Sequence, residues 1–110
     1  MKMIISAHIE VDSSKREAVL TQAAPVIEAT LKEPGCLNYN WAADISSPQL
    51  ITVFEEWESE ATLDLHFTTD NFEKMSQILG ACGLISADAT KYSVSQEGPV
   101  YKDGVPTSEF

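Results

Sequence analysis

The sequence predicts one α+β domain in which helices cover one face of an antiparallel sheet. Three observations indicate this fold: apolar runs typical of strands, segments with apolar residues three and four positions apart, and turn residues at the boundaries. These segments follow one another in the order β-α-β-β-α-(α)-β. With 110 residues, 44% of them hydrophobic, the chain has room for one domain with its own core.

The first strand and the first helix occupy the N-terminal third of the chain. Residues 3–11, MIISAHIEV, are rich in Ile and Val and alternate near their end. Ser14 and Glu17 fit a capping box at the start of the helix, and Pro25 inside it lacks an amide hydrogen, so we expect a local irregularity. The predicted apolar stripe of this helix comprises Val19, Leu20, Ala23, Ile27 and Leu31.

A hairpin is predicted after Pro34 and Gly35, a pair that stops the helix. Two strand-like runs, 36–44 and 50–58, are joined by the short polar segment ISSPQ, which favours antiparallel pairing. Residues alternate between two faces along each run, because successive side chains of a strand point to opposite sides. In the first run one face should carry Leu37, Tyr39 and Trp41. In the second run one face should carry Ile51, Val53, Glu55 and Trp57.

Two further helices and a last strand complete the domain. Ser59 can cap a helix that begins at Glu60, and Asp70 marks a new helical start. The final strand is predicted at about 90–97. This order is that of a ferredoxin-like unit spanning residues 1–97, and residues 98–110 form a turn-rich C-terminal tail.

Both faces of the predicted sheet carry apolar side chains. Ile4 and Phe54 lie on one face, and Val53 and Trp57 lie on the other. The helices of a ferredoxin-like unit cover only one face, so a second subunit is the natural cover for the other. We therefore expect a homodimer.

Charge and cysteine content narrow the class of protein. The formal net charge is −10, from 17 acidic and 7 basic residues, which argues against binding nucleic acid or an anionic membrane surface. Cys36 and Cys82 show no metal-site spacing, and no apolar run is long enough for a membrane span. The expected location is the cytoplasm, with both thiols reduced.

Four segments carry a resemblance to a known family: EPGCLNY, VFEEWES, ATLDLHF and NFEKM. Together they resemble the antibiotic biosynthesis monooxygenase domain, especially its small quinol-monooxygenase-like members, and the resemblance covers about residues 3–97. It implies a dimeric α+β barrel in which each subunit keeps a pocket between its sheet and its helices. It further implies oxidation of a quinol-like or related aromatic substrate by O₂, with no flavin, metal or other cofactor.

The resemblance places Glu55, Trp57 and His66 on typical motif positions, and the chain departs from the pattern elsewhere. Asn71 stands where many members carry a second His. The haem-degrading branch places a pocket Asn and an axial His where this chain has Ala7 and Ser76, so haem binding is not expected.

Candidate catalytic roles follow from side-chain chemistry. His66 can take up and release a proton near neutral pH, although it could equally be a helix residue that bonds a neighbouring backbone group. Glu55 should point toward the helices, where it either orients His66 or anchors the helix 60–66. The substrate-binding candidates are Trp57, Phe67, Phe72, Val53 and Ala7, with core packing as the alternative role for Trp57.

The remaining polar and reactive residues have more ordinary interpretations. Tyr39 could contact a ligand or a partner through its hydroxyl group, and His8 should lie on the sheet face that meets the partner subunit. Cys36 is expected to pack after the turn rather than act as a nucleophile, because no base lies at a diagnostic spacing. No H-x-x-H or H-E-x-x-H spacing supports a metal site.

Three functions remain open from the sequence. The first is a cofactor-independent monooxygenase of a quinol-like aromatic. The second is a dimer that binds a small ligand, or serves in stress, without catalysis, an idea motivated by Asn71. The third is an isomerase of a small carbonyl compound that uses the same pocket. One scaffold can host all three.

Overall fold

The computed structural model describes all 110 residues. The bounds of the main elements are β1 (Met3–Val11), α1 (Arg16–Thr30), β2 (Cys36–Ala43), β3 (Leu50–Trp57), α2 (Glu60–His66), α3 (Asp70–Ala81) and β4 (Leu84–Ser93). A small hairpin follows in the tail, formed by β5 (Tyr101–Lys102) and β6 (Val105–Pro106). The predicted α+β class and the ferredoxin-like order are confirmed.

The four long strands form one antiparallel sheet in the order β2-β3-β1-β4. Every second residue of β1 from Met3 to Val11 is buried, and these residues share two hydrophobic clusters with residues of the helices. This is the helix-facing side of the sheet. The opposite side, which carries His8 and Phe54, has no covering layer within the chain.

The helix starts follow local hydrogen bonding. Ser59 caps α2 as predicted: its hydroxyl oxygen accepts from the Thr62 amide, and the Thr62 hydroxyl oxygen accepts from the Ser59 amide. The capping box predicted at Ser14 is wrong. Ser14 instead donates its hydroxyl to Oδ1 of Asp12 at 2.6 Å, and α1 begins later, at Arg16, without a side-chain cap.

The apolar stripe of α1 was predicted only in part. Val19 and Ala23 are buried as expected, but Val26 and Thr30 are the next buried residues. Leu31 is 45% exposed, because α1 ends at Thr30 and Leu31 lies beyond the last turn that packs on the sheet.

The last strand begins six residues earlier than the sequence indicated. β4 runs from Leu84 and pairs with β1 along its length, after a turn in which Gly83 has a φ of +72°. All ten of its residues are exposed, so neither face had to be uniformly apolar. The missing alternation is the physical reason that the prediction placed this strand at 90–97.

Candidate functional site

A cavity of about 500 Å³ lies between the helix-facing side of the sheet and the helices α2 and α3. Twelve of its 17 lining residues are hydrophobic, which makes it a site for an apolar molecule. The lining comprises Ile5, Ala7, Ile9, Tyr39, Trp41, Val53, Glu55, His66, Phe67, Phe72, Met75, Ser76, Leu79, Ala87, Ala89, Thr90 and Lys91.

His66, the last residue of α2, is only 2% exposed and is held by a carboxylate. Its Nδ1 lies 2.8 Å from Oε1 of Glu33, and the other carboxylate oxygen of Glu33 accepts from Nδ2 of Asn71 at 2.9 Å. Because an ionised carboxylate can only accept, this bond places the proton on Nδ1. Nε2 is thereby left as the nitrogen that can accept a proton.

Glu33 reaches His66 because the turn that follows it docks onto the start of α2. Gly35 has a φ of +74°, which favours glycine, and a Cβ built there would lie 2.4 Å from Cγ2 of Thr62. The Gly35 carbonyl also accepts from the Glu58 amide at 2.8 Å. Thr62 and His66 are four residues apart and share one helix face, so the turn that contacts Thr62 presents Glu33 to His66.

Aromatic rings surround the imidazole of His66. The Trp57 ring stacks on it at a centroid distance of 4.5 Å and an interplanar angle of 31°, and Tyr39, Phe72 and Phe67 lie at 5.7, 5.5 and 5.9 Å. Nε2 makes no hydrogen bond within the chain, and it is not completely buried. Since His66 lines the cavity, Nε2 is open toward it.

Of the two roles considered for Glu55, the hydrogen bond that would orient His66 is absent. Oε1 of Glu55 accepts from the indole Nε1 of Trp57 at 3.0 Å, within the same strand, and Glu33 takes the place of His66's partner. Glu55 and Trp57 are two positions apart in β3, so their side chains lie next to each other on the same face of the sheet. Burial raises the pKa of the Glu55 carboxyl, while the hydrogen bond from the Trp57 indole opposes this rise.

The raised pKa of Glu55 predicts a pH-dependent effect of Glu55→Gln on stability. The ordinary pKa of this carboxyl is 4.5, so the folded state holds the proton more tightly than the unfolded state does. The resulting loss of folded-state stability develops as pH rises from 4.5 through the raised pKa, and it is complete above that value. The glutamine variant escapes this loss and keeps an acceptor for Trp57.

Thermal unfolding midpoints at about pH 4 and pH 8 test this prediction. The unfolding midpoint of Glu55→Gln, relative to that of the unmodified protein, should be higher at pH 8 than at pH 4. Glu28→Gln, which removes an exposed carboxylate from the last turn of α1, is the control. A difference that is the same at both pH values for Glu55→Gln would show that burial does not penalise its charge.

Two other groups near the cavity stay protonated at neutral pH. Burial, aided by the charge of Glu55, raises the pKa of the Tyr39 hydroxyl, which therefore remains a hydrogen-bond donor. Burial, aided by the charges of Glu33 and Glu55, raises the pKa of the Cys36 thiol to about 11. The thiolate form needed for nucleophilic attack is thus disfavoured, in agreement with the packing role predicted for Cys36.

The structure brings most of the predicted site residues to one cavity. His66, Glu55, Phe67, Phe72, Val53 and Ala7 all line it. Trp57 does not: it is fully buried behind His66, where it packs in the core and stacks on the imidazole. Ser76, which stands where the haem-degrading branch has its axial His, also lines the cavity and donates its hydroxyl to the Phe72 carbonyl at 3.1 Å.

Glu33 and Lys91 are the charged residues that the sequence reasoning missed. Glu33 is the first residue of the EPGC segment, and a carboxylate placed just before a docked turn is the signal that could have identified it. Lys91 lies within the segment predicted as the last strand, but its face could not be assigned because that strand shows no alternation of buried residues. The indole nitrogen of Trp41, another lining residue, is buried and has no hydrogen-bond partner.

The structure contains no group of three or more His, Cys, Asp and Glu side chains that could hold a metal ion. None of its helices is both long enough and apolar enough to span a membrane.

Comparison with families of known proteins gives one match over most of the chain. The family model described as antibiotic biosynthesis monooxygenase matches residues 3–77. This range contains β1 through most of α3, and with them Glu33, Glu55, Trp57 and His66.

Two curated relatives are about one third identical to this chain over the residues that align. It is 37% identical over 70 residues to the Escherichia coli protein named "Probable quinol monooxygenase YgiN", a match that covers 56% of this chain and 67% of that protein. It is 31% identical over 72 residues to an uncharacterized Synechocystis protein, sll1783, covering 66% of this chain. The chain spans about half the length (49%) of that protein.

Solved structures show the same fold. A conserved protein from Methanosarcina mazei Go1 superposes with a TM-score of 0.76 at 28% identity, over 84% of this chain and 91% of that chain. A Deinococcus radiodurans protein superposes with a TM-score of 0.82 over 91% of this chain and 99% of that chain. At 17% identity, the second likeness concerns the fold alone.

Proposed function

The chain belongs to the antibiotic biosynthesis monooxygenase family, and we propose that it oxidises a quinol-like or related aromatic small molecule with O₂ and without a bound cofactor. The observation that carries the proposal is the Glu33–His66 pair at the wall of the apolar cavity, with Nε2 of His66 open to that cavity. The quinol part of the proposal is supported by the name of the Escherichia coli relative.

The cavity suits a planar aromatic substrate. Phe67 and Phe72 meet edge to face at 5.3 Å on the helix side, and Val53 and Ile5 lie on the sheet side. Rings bound between such groups lose contact with water and gain favourable aromatic contacts. The exclusion of water also strengthens the electrostatic interaction between His66 and a substrate hydroxyl group.

The proposed role of His66 is that of a general base. Glu33 accepts the Nδ1 proton, so Nε2 can take the proton of a substrate hydroxyl. Asn71 donates to the second oxygen of Glu33 and so keeps the carboxylate in place. The position where many family members carry a second His is thus occupied here by a residue that supports the His66 pair, which gives Asn71 a role compatible with catalysis.

The reaction balances with substrate and O₂ alone. A quinol that loses a hydroxyl proton to Nε2 becomes an electron-rich anion, which passes one electron to O₂ and then combines with the reduced oxygen at a ring carbon. Loss of water from this adduct breaks the O–O bond and the ring C–H bond. The net change converts the quinol and one O₂ into a hydroxyquinone and one H₂O, with both electron pairs supplied by the substrate.

Oxygen uptake by the purified protein, measured with a panel of hydroquinones and naphthols, tests this function. We expect oxygen uptake that depends on both enzyme and substrate, with one oxygen atom of ¹⁸O₂ appearing in the product and the other in water. Uptake no faster than autoxidation for every compound of the panel would overturn the proposal.

One observation favours a second candidate, an isomerase of a small carbonyl compound. Glu55, whose pKa is raised by burial, lines the cavity together with His66, so two groups could take and return a proton in the same pocket. Incubation without O₂ separates the two functions, because only the isomerase would form product under those conditions.

The proposal includes a homodimer formed through the open face of the sheet. Phe54 is 41% exposed and Tyr92 is 53% exposed, and both lie on the face that carries no helices. Covering such side chains is favourable by about 25 cal/mol per Å² of apolar surface. The proposed location is the cytoplasm, where the free thiols of Cys36 and Cys82 stay reduced.

Sedimentation velocity at micromolar concentration is expected to show a dimer. Phe54→Glu, which places a charge on the open sheet face, should shift the protein toward monomer, because an unpaired charge is costly to bury. Phe67→Glu, on the helix side, is the matched control and should leave the dimer intact. A stable monomer of the unmodified chain at these concentrations would contradict the dimer.

A further inference from the structure

One row of four side chains crosses the cavity floor from one edge of the sheet to the other. Tyr39 of β2 pairs with Glu55 of β3, Glu55 pairs with Ile5 of β1, and Ile5 pairs with Lys91 of β4. All four line the cavity. Neighbouring strands are about 4.8 Å apart, so the Cα atoms of Tyr39 and Lys91 are separated by about 14 Å.

The two ends of this row differ in chemistry. His66 lies over the β2 and β3 end, where its ring contacts those of Tyr39 and Trp57. Lys91 lies at the β4 end and is the only Lys or Arg among the lining residues. A molecule that extends along the row would therefore meet the proposed base at one end and a positive charge at the other.

Lys91 has no partner within the chain. It takes part in no salt bridge and no side-chain hydrogen bond, whereas Lys2 is paired with Glu56 at 2.7 Å and with Glu97 at 2.8 Å. Lysine side chains outside the cavity, such as Lys74 and Lys102, also lack partners, so what distinguishes Lys91 is that its unpaired charge lies in the cavity lining. The positive charge is thus free to bind an anionic group in the cavity.

The neighbours of Lys91 on its own strand leave space beside it. Ala87 and Ala89 lie on the same face of β4, pair with Ile9 and Ala7, and line the cavity. Because alanine side chains extend only a short way into the cavity, we expect room for a second aromatic ring over this part of β4. The helices do not bury β4, all of whose residues are exposed, so this end of the cavity is open.

We propose that Lys91 determines substrate specificity by binding an acidic substituent at the end of the substrate remote from the reacting hydroxyl group. The substrate class is then a hydroxylated aromatic of about two fused rings that carries a carboxylate or similar anionic group. The assignment of the hydroxyl group to the His66 end rests on the proposed function. The anion-binding role of Lys91 does not require turnover.

Equilibrium binding measures this role directly. The probes are 6-hydroxy-2-naphthoate, with a hydroxyl and a carboxylate at opposite ends of two rings, and 2-naphthol, which lacks the carboxylate; both are followed by their fluorescence. Lys91→Met is expected to weaken binding of the naphthoate by about tenfold and to leave 2-naphthol unchanged, because only the acid loses a charge-assisted hydrogen bond. Added salt should weaken naphthoate binding to the unmodified protein more than 2-naphthol binding.

Two variants separate a local contact from general charge or misfolding. Lys74→Met removes an exposed positive charge from α3 outside the cavity lining and should leave both affinities unchanged. Lys91→Glu should weaken naphthoate binding further and should bind the cationic probe 6-(aminomethyl)-2-naphthol more tightly than the naphthoate. A misfolded protein could not produce this reversal of preference.

The assignment would be overturned if Lys91→Met weakened the binding of both naphthalene probes equally. It would also be overturned if Lys91→Met and Lys74→Met weakened naphthoate binding by the same factor. The result is independent of the proposed oxidation. If the naphthoate binds through Lys91 but no quinol supports oxygen uptake, the anion site stands and the monooxygenase function fails.

Discussion

His66→Gln is expected to lower kcat for substrate-dependent oxygen uptake by about 10²- to 10⁴-fold, the range for loss of a general base. The glutamine amide can still donate to Glu33, so the carboxylate is not left buried without a partner. KM should change much less than kcat, because the apolar lining that binds the rings is untouched. Initial rates with an oxygen electrode provide the measurement.

Glu33→Gln is the companion variant. Its amide oxygen can still accept from Nδ1 of His66, but the negative charge that stabilises a protonated imidazole is lost. We expect a smaller fall in kcat than for His66→Gln, with little change in KM. If His66→Gln retains full activity, His66 is not the general base and the proposed mechanism is wrong.

Trp57→Ala is expected to reduce the free energy of unfolding by about 3–5 kcal/mol, the cost of removing a large aromatic side chain from a core. Trp57 is fully buried and belongs to the cluster that joins β1, α1, α2 and α3. The substitution also removes the indole N–H that donates to Glu55 and the ring that stacks on His66. Equilibrium denaturation can measure this loss, because it is a large fraction of the roughly 5–15 kcal/mol by which a domain is typically stable.

Trp57→Phe separates packing from hydrogen bonding. The phenyl ring restores most of the buried area but cannot donate to Glu55, so a smaller loss is expected than for Trp57→Ala. A loss below about 1 kcal/mol for Trp57→Ala would contradict the core position of this residue.

Much of the site could be predicted because strand alternation is a local property. The side chains of Val53 and Glu55 point toward the helices, as the period of two required, and Ala7 follows the same rule in β1. His66 could be chosen because an imidazole can exchange a proton near neutral pH and because the residue stands on a motif position of the family resemblance. Its partner could not be predicted: Glu55 was one candidate, but its carboxylate accepts from Trp57, and Glu33 binds His66 instead.

The N-terminal boundary of β4 and the cap of α1 could not be predicted for different reasons. β4 is exposed along its whole length, so burial imposed no pattern on its residues. Near α1, the Ser14 hydroxyl could accept from a helix amide or donate to the Asp12 carboxylate. It donates to Asp12, because a hydrogen bond to a charged acceptor is the stronger of the two.

The amino-acid sequence by itself determined the type and order of the elements and, in β1 and β3, the face on which the core residues lie, because periodicity and turns act over a few residues. Only the tertiary structure decided which distant groups meet. Glu33 reaches His66 because the turn after Glu33 packs against α2. Lys91 lies in the same row as Tyr39, three strands away, because of the pairing register of the sheet. Such contacts depend on how elements pack, and packing is not encoded in any local stretch of residues.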